Sequence, residues 1–117
     1  MPQRNSNALQ LSPQHLTVLR ALLAKHVPEA QVWAYGSRVK GGSHDGSDLD
    51  IVLRHPKDLT QDVAEWVELQ EALQDSPLPM LVELQLWSRL PASFHTNIEA
   101  GYVELQAGHG LELNPSV

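Results

Sequence analysis

The chain has 117 residues, 42% of them hydrophobic, which suits one domain with a buried core and is short for an enzyme that must enclose two substrates. A net charge of −6 with scattered Lys and Arg disfavours a nucleic-acid-binding surface. The absence of cysteine excludes disulfides and thiolate metal sites and is compatible with the cytoplasm, and neither a membrane-spanning apolar stretch nor a signal-peptide core is visible.

Residues 1–11 are polar and amide-rich and are expected to form a flexible segment ahead of a domain over residues 12–105. Ser12-Pro13 reads as an N-cap followed by proline in the first turn, where its missing N–H costs nothing. Leu16, Leu19, Leu22 and Leu23 then recur on one face, predicting an amphipathic helix from Pro13 to about His26. His15 and His26 lack metal-ligand spacing and are expected on its surface. Val27-Pro28-Glu29 ends the helix, and Gln31 to Tyr35 is the first predicted strand, with Trp33 and Tyr35 facing one way and Val32 and Ala34 the other. Trp33 reads as a core residue, with stacking on a planar ligand as the alternative.

The most informative stretch follows. The strand breaks at Gly36-Ser37, and after ten further residues Asp48 and Asp50 open a second apolar run that ends at Leu53. In a strand, Asp48 and Asp50 project to the same side with Cα atoms about 6.5–7 Å apart, so both carboxylates can reach one cation or a pair of cations. Side by side they raise each other's pKa, which makes sense mainly if a divalent cation neutralises them. Hard oxygen donors of this number suit Mg²⁺ shared with substrate phosphates. Gly36 allows backbone N–H groups to approach an anion without a Cβ in the way. Ser37 is a candidate cap for a short helix over Arg38-Val39-Lys40, whose N-terminus would be a phosphate site. The alternative is a flexible turn, Gly41 to Ser47, followed by solvated aspartates. His44 and Asp45 are loop residues without EF-hand spacing.

Gly36-Ser37 followed at this distance by Asp48-x-Asp50 resembles the DNA polymerase β-like nucleotidyltransferases. The fuller pattern, Gly-Ser-Arg-x-x-Gly and then Ser47-Asp48-x-Asp50, is similar to their smallest members, the minimal nucleotidyltransferases (MNT) that act as antitoxins beside HEPN toxins. The resemblance implies that Arg38 lies near the triphosphate or the acceptor, whereas on its own it reads as a solvated cation. Lys40 carries a weaker expectation of the same kind.

Beyond the second strand, Arg54-His55-Pro56-Lys57 turns the chain. Asp58 or Thr60 is a candidate cap for a helix running to about Asp75, with Leu59, Val63, Trp66, Val67 and Leu73 at helical intervals and Glu65, Glu68 and Glu71 on the outer side. Ser76-Pro77-Leu78-Pro79 leads rigidly into Met80 to Trp87. There Val82, Leu84 and Leu86 alternate with Glu83, Gln85 and Trp87. If this strand lies beside the aspartate strand, Glu83 joins the carboxylate face and completes a three-carboxylate site; otherwise it is an edge charge in water. Leu81 to Leu90 resembles the corresponding strand and Trp-Ser-Arg-Leu run of MNT proteins, which usually carry aspartate where Glu83 stands. Pro91 opens a short helix with Phe94 and Ile98 on one face and Gly101 as a candidate C-cap. Tyr102 to Leu105 is a strand or an irregular segment, and residues 106–117, with His109, form an expected flexible tail.

The expected fold is α/β: a small nucleotidyltransferase sandwich, a mixed sheet with helices mainly on one face and the carboxylates on the other. The resemblance implies a Mg-ATP-dependent enzyme in which Asp48, Asp50 and Glu83 hold two Mg²⁺ ions and Gly36, Ser37 and Arg38 hold the nucleotide. It further implies AMP transfer to a hydroxyl, a tyrosine on a HEPN toxin partner. The competing expectation is a non-catalytic antitoxin that neutralises its partner by steric occlusion.

Overall fold

The chain, described here by a computed structural model over residues 3–4, 9–41 and 47–108, arranges nine elements in sequence. These are β1 (Gln3–Arg4), α1 (Pro13–His26), β2 (Gln31–Tyr35), α2 (Ser37–Lys40), β3 (Leu49–Arg54), α3 (Trp66–Gln74), β4 (Val82–Leu86), α4 (Ala92–Glu99) and β5 (Tyr102–Gln106). The strands form one mixed sheet in the order β1-β5-β2-β3-β4. β2 lies antiparallel to both neighbours, while β1 with β5 and β3 with β4 are parallel pairs. The parallel β3–β4 pairing requires the intervening chain to cross over the sheet, and α3 is that crossover.

The period of two along each strand sorts the side chains onto two faces. One face carries Val32, Ala34, Leu49, Ile51, Leu53, Leu86, Val103 and Leu105 and is covered by α1 and α3 through Leu19, Leu23, Leu69 and Leu73. The other carries Trp33, Tyr35 and Val52, packed with Trp87 and with Ile98 of α4. The two long packing helices therefore share a face, as expected, and the shorter α4 partly covers the opposite one. Trp33 belongs to the core: it is 5% exposed, stacks on Tyr102 at 3.8 Å between ring centroids, and is covered by the Arg54 guanidinium at 4.0 Å.

Local chemistry explains where elements begin. The Ser12 hydroxyl accepts the His15 N–H and Pro13 occupies the first turn of α1, as the sequence predicts. The predicted helix from residue 58 starts later, at Trp66. The Asp58 carboxylate accepts from the Thr60 N–H and hydroxyl at 3.0 and 2.6 Å, so it closes a local turn that competes with helix formation. Asp62 is bound instead to Ser88 and, through a 2.6 Å ion pair, to Arg89 in the turn after β4. Gly101 follows α4 without left-handed geometry, the C-cap being Ala100.

The ends of the chain also contribute. The backbone of Gln3–Arg4 pairs with Tyr102 and Val103, and Leu9 is buried in the core. β5 extends through Gln106, whose side-chain amide donates to the carbonyls of Val27 and Ala30 at 2.7 and 2.8 Å. The expected flexibility of residues 1–2, 5–8 and 109–117, His109 included, concerns positions outside the described residues, as do the loop residues His44 and Asp45.

Ile51, fully buried at the middle of β3, tests whether the α1/α3 face carries the stability. Ile51→Ala is expected to destabilise the fold by about 2–5 kcal/mol, read from the urea midpoint at unchanged slope.

Candidate active site

Antiparallel pairing places Tyr35, the last residue of β2, directly opposite Asp50 on β3. Parallel pairing places Glu83 of β4 beside Asp50 on its other side. Tyr35, Asp50 and Glu83 thus form a row across three strands on the face that α1 and α3 leave uncovered. With Gly36, Lys40, Gln85, Phe94, Asn97 and Ile98 they line a cavity of about 320 Å³ between the sheet and α4.

Gly36 is fixed there by two constraints. Its φ of +85° is a left-handed conformation that side chains rarely adopt, and a Cβ at this position would lie 2.5 Å from Asp50 Oδ2. The backbone turn at Gly36 is therefore pressed against the Asp50 carboxylate. From the same turn α2 departs: the Gly36 carbonyl accepts from the Val39 and Lys40 N–H groups at 3.0 and 2.9 Å. Gly36 itself is the N-cap of α2, and Ser37, expected to cap, is the first helical residue and makes no side-chain cap bond. Its side chain is exposed.

The electrostatics follow from this crowding. Burial, the Glu83 charge and the Asp48 charge, in that order, push the Asp50 carboxyl above its ordinary value. Burial and the charges of Asp50 and Glu83 likewise push the Tyr35 phenol well above its ordinary value, so it remains protonated. Asp48 stands exposed one residue ahead of β3, close enough to be felt by Asp50 but not lining the cavity. Among the described residues, no three His, Asp or Glu side chains already converge as a complete metal site. The donor chemistry still fits a hard divalent cation: Asp50 and Glu83 are side by side, and the raised Asp50 carboxyl marks a place short of positive charge.

Arg38, which the resemblance sets near the triphosphate or the acceptor, is a buried residue bound to backbone carbonyls. It is 7% exposed, and its guanidinium donates to the Ser47 carbonyl through Nε and Nη2 at 3.1 and 2.9 Å and to the Gln10 carbonyl through Nη1 at 2.6 Å. It ties α2 to the residue preceding Asp48 and to the N-terminal segment. The cation that lines the cavity is Lys40, two residues on and exposed. The period of a short helix could have separated the two, since Arg38 and Lys40 cannot share a face. Gln85, Phe94 and Asn97 had no signal as site residues beyond the alternation of β4 and the predicted α4. A larger cleft, of about 440 Å³, lies at the opposite end of the sheet among His26, Glu29, His55, Lys57 and Glu65, and holds neither the glycine turn nor the carboxylate pair.

Two outcomes follow from the Gly36–Asp50 contact. Gly36→Ala is expected to lower stability by about 1–3 kcal/mol through backbone strain alone and to displace the Asp50 carboxylate, measured by urea unfolding and by a crystal structure of the variant. Because the folded-state Asp50 carboxyl binds its proton more tightly than the unfolded chain does, its contribution to stability declines as pH rises from the ordinary value of 3.8 through the raised one. Metal-free Asp50→Asn should therefore gain stability over the wild type across that window and hold the gain at neutral pH, seen as a higher urea midpoint.

The comparisons with known proteins agree with this geometry. The family model described as nucleotidyltransferase domain matches residues 16–102. A probable protein adenylyltransferase MntA from Haemophilus influenzae is 35% identical over 98 residues, covering 84% of each chain. A crystal structure of a toxin–antitoxin with AMP-PNP superposes with a TM-score of 0.62 at 20% identity, over 84% of this chain and 76% of that one, and shares the fold. A family match that runs from α1 to the start of β5, with the glycine turn and the carboxylate strand inside it, makes this chain a member of the nucleotidyltransferase domain family, of the minimal MNT type.

Proposed function

We propose that the protein transfers AMP from ATP to a hydroxyl, that of a tyrosine, on a partner HEPN-type toxin and so acts as its antitoxin in the cytoplasm. The observation that carries the reading is the Gly36 turn set against Asp50, with Glu83 in register beside it. A phosphate-approachable backbone turn touches one carboxylate, and the neighbouring strand supplies a second in register. The related MntA is described as a probable protein adenylyltransferase, and the structural neighbour is a toxin–antitoxin with AMP-PNP, which favours an ATP-type donor and a protein acceptor.

In this reading Asp48, Asp50 and Glu83 would hold Mg²⁺, two ions in all, which when bound neutralises the triphosphate and the attacking oxygen. The chain's own groups do the rest. The amides that follow Gly36 and the Ser37 hydroxyl hold the leaving phosphates, and Lys40 offsets the negative charge that grows on them. The acceptor hydroxyl oxygen attacks the α-phosphorus, the bond to the β-phosphate oxygen breaks, and pyrophosphate leaves. The hydroxyl proton passes to Glu83, the carboxylate beside Asp50 on the neighbouring strand. Tyr35, held protonated by burial and by the neighbouring charges of Asp50 and Glu83, does not compete as a nucleophile. Arg38 acts by holding Ser47, and with it the approach to Asp48.

The non-catalytic alternative, neutralisation by occlusion, rests on the substitution of Glu83 for the family's usual aspartate. The two readings part in one experiment. Intact-mass measurement of the protein that co-purifies with this chain from its host should show added AMP with the wild type and none with Asp50→Asn, although both bind it. An unmodified partner held equally by both versions would establish occlusion instead.

A further inference from the structure

The longer of the sheet's two edges belongs to the strand that carries Glu83. β4, five residues long, is the outermost strand on one side, while on the other the two-residue β1 lies outside β5. The Leu81 carbonyl accepts from the Leu49 N–H at 2.9 Å, and the β3–β4 register then runs without a shift from Val82 to Leu86. Backbone groups alternate sides along a strand, so residues 81, 83 and 85 turn their N–H and C=O toward β3, and Val82, Leu84 and Leu86 turn theirs outward. No lysine, proline or bulge interrupts Val82–Leu86, and its one charge, Glu83, lines the cavity.

The surroundings of this edge describe what fits it. Beside it runs a mostly apolar groove of about 150 Å³ lined by Leu73, Gln74, Leu78, Met80, Leu81 and Val82, and Leu81 is 55% exposed. From Leu69 to Ser88 the chain carries Glu71, Asp75 and Glu83 and no Lys, Arg or His. A strand added to β4 would lie about 4.8 Å outside it, and its side chains opposite Glu83 and Gln85 would point into the cavity that Phe94 and Asn97 close from the α4 side.

We propose that the acceptor protein docks by strand addition. An extended segment, apolar at alternate positions and bearing Lys or Arg, pairs with the outward groups of Val82, Leu84 and Leu86. Its hydroxyl-bearing side chain thereby enters the cavity next to Glu83. The proposal rests on the reading of the protein as a protein-modifying transferase, and it explains how so small a chain selects an acceptor. Backbone pairing supplies affinity, the groove and the acidic rim supply selectivity, and Glu83 sits at the point where both meet the chemistry.

The test compares Leu84→Pro with Leu84→Ala, which both lack the leucine side chain and differ in the outward N–H. Each full-length variant is incubated with an extract of the host cell and ATP labelled at the α-phosphate, and protein-bound label is counted. Label lower by about tenfold or more in Leu84→Pro than in Leu84→Ala, at equal Mg-dependent protection by ATP in a melting assay, is the expected result. Leu81→Glu, which keeps every backbone donor and adds a like charge to the groove, should also lose label, and it serves if the proline variant does not fold. Equal labelling by the proline and alanine variants, or full labelling by Leu81→Glu, overturns the docking mode and leaves the transferase reading standing. Wild-type label found only on molecules that resist protease overturns the protein-acceptor reading and the docking with it. A wild-type dimer by light scattering that becomes monomeric only in Leu84→Pro would assign the edge to a second copy of this chain and overturn the proposal.

Discussion

The contact between the Gly36 turn and the Asp50 carboxylate is the constraint on which the site depends. It brings a backbone turn, which can face phosphate, within van der Waals range of a carboxylate, which repels phosphate. The arrangement is unfavourable for the bare protein, since burial and neighbouring charges already raise the Asp50 carboxyl. It becomes favourable only when positive charge enters. The fold supplies the rigidity to hold such a contact: Ala34, Ile51 and Val52, immediately next to it on β2 and β3, are fully buried.

Around that contact the molecule divides its tasks by side of the sheet. The α1/α3 face is aliphatic and carries most of the core, whereas the other face combines an aromatic cluster with ionisable groups. Arg54 marks the boundary. Its guanidinium lies over both Trp33 and Trp87, at 4.0 and 4.6 Å, so the charged side chain serves as a packing surface. Desolvation there lowers its pKa while Glu99, Tyr102 and Glu104 act in the opposite direction. The aromatic cluster thus anchors one end of β3 while the carboxylates occupy the other.

Much of this was legible in the sequence, because it depends on period and spacing. The alternation of β2, β3 and β4, the Ser12-Pro13 start of α1, and the side of the sheet that Glu83 would share all follow from local rules, and the structure has them. What depended on three-dimensional partners was not legible. Asp58 looks like a helix cap until its carboxylate is seen to close a turn on Thr60. Arg38 on its own looks like a solvated cation because the sequence does not reveal that the Ser47 and Gln10 carbonyls take its donors. Asn97 is an ordinary surface residue, and Lys40 carries only a weak expectation, until the path of α2 and the placement of α4 bring them to one cavity. Whether Asp48 and Ser37 join that cavity depends on ligands whose charges are themselves part of the arrangement.

The short first strand has a consequence for colloidal behaviour. An open edge such as that of β4 invites growth only where a second open edge is available to receive it, and in this sheet Gln3–Arg4 already occupies the outer side of β5. Head-to-tail stacking, in which β4 of one molecule adds to β5 of the next, meets Gln3–Arg4 at Tyr102 and Val103, and the outermost strand left there is only two residues long, which disfavours growth into fibres. Two residues of backbone pairing make the two edges unequal, a five-residue strand on one side and a two-residue strand on the other. Removing them would leave Gly36, Asp50 and Glu83 in place and uncover Tyr102 and Val103 as part of a second, longer edge.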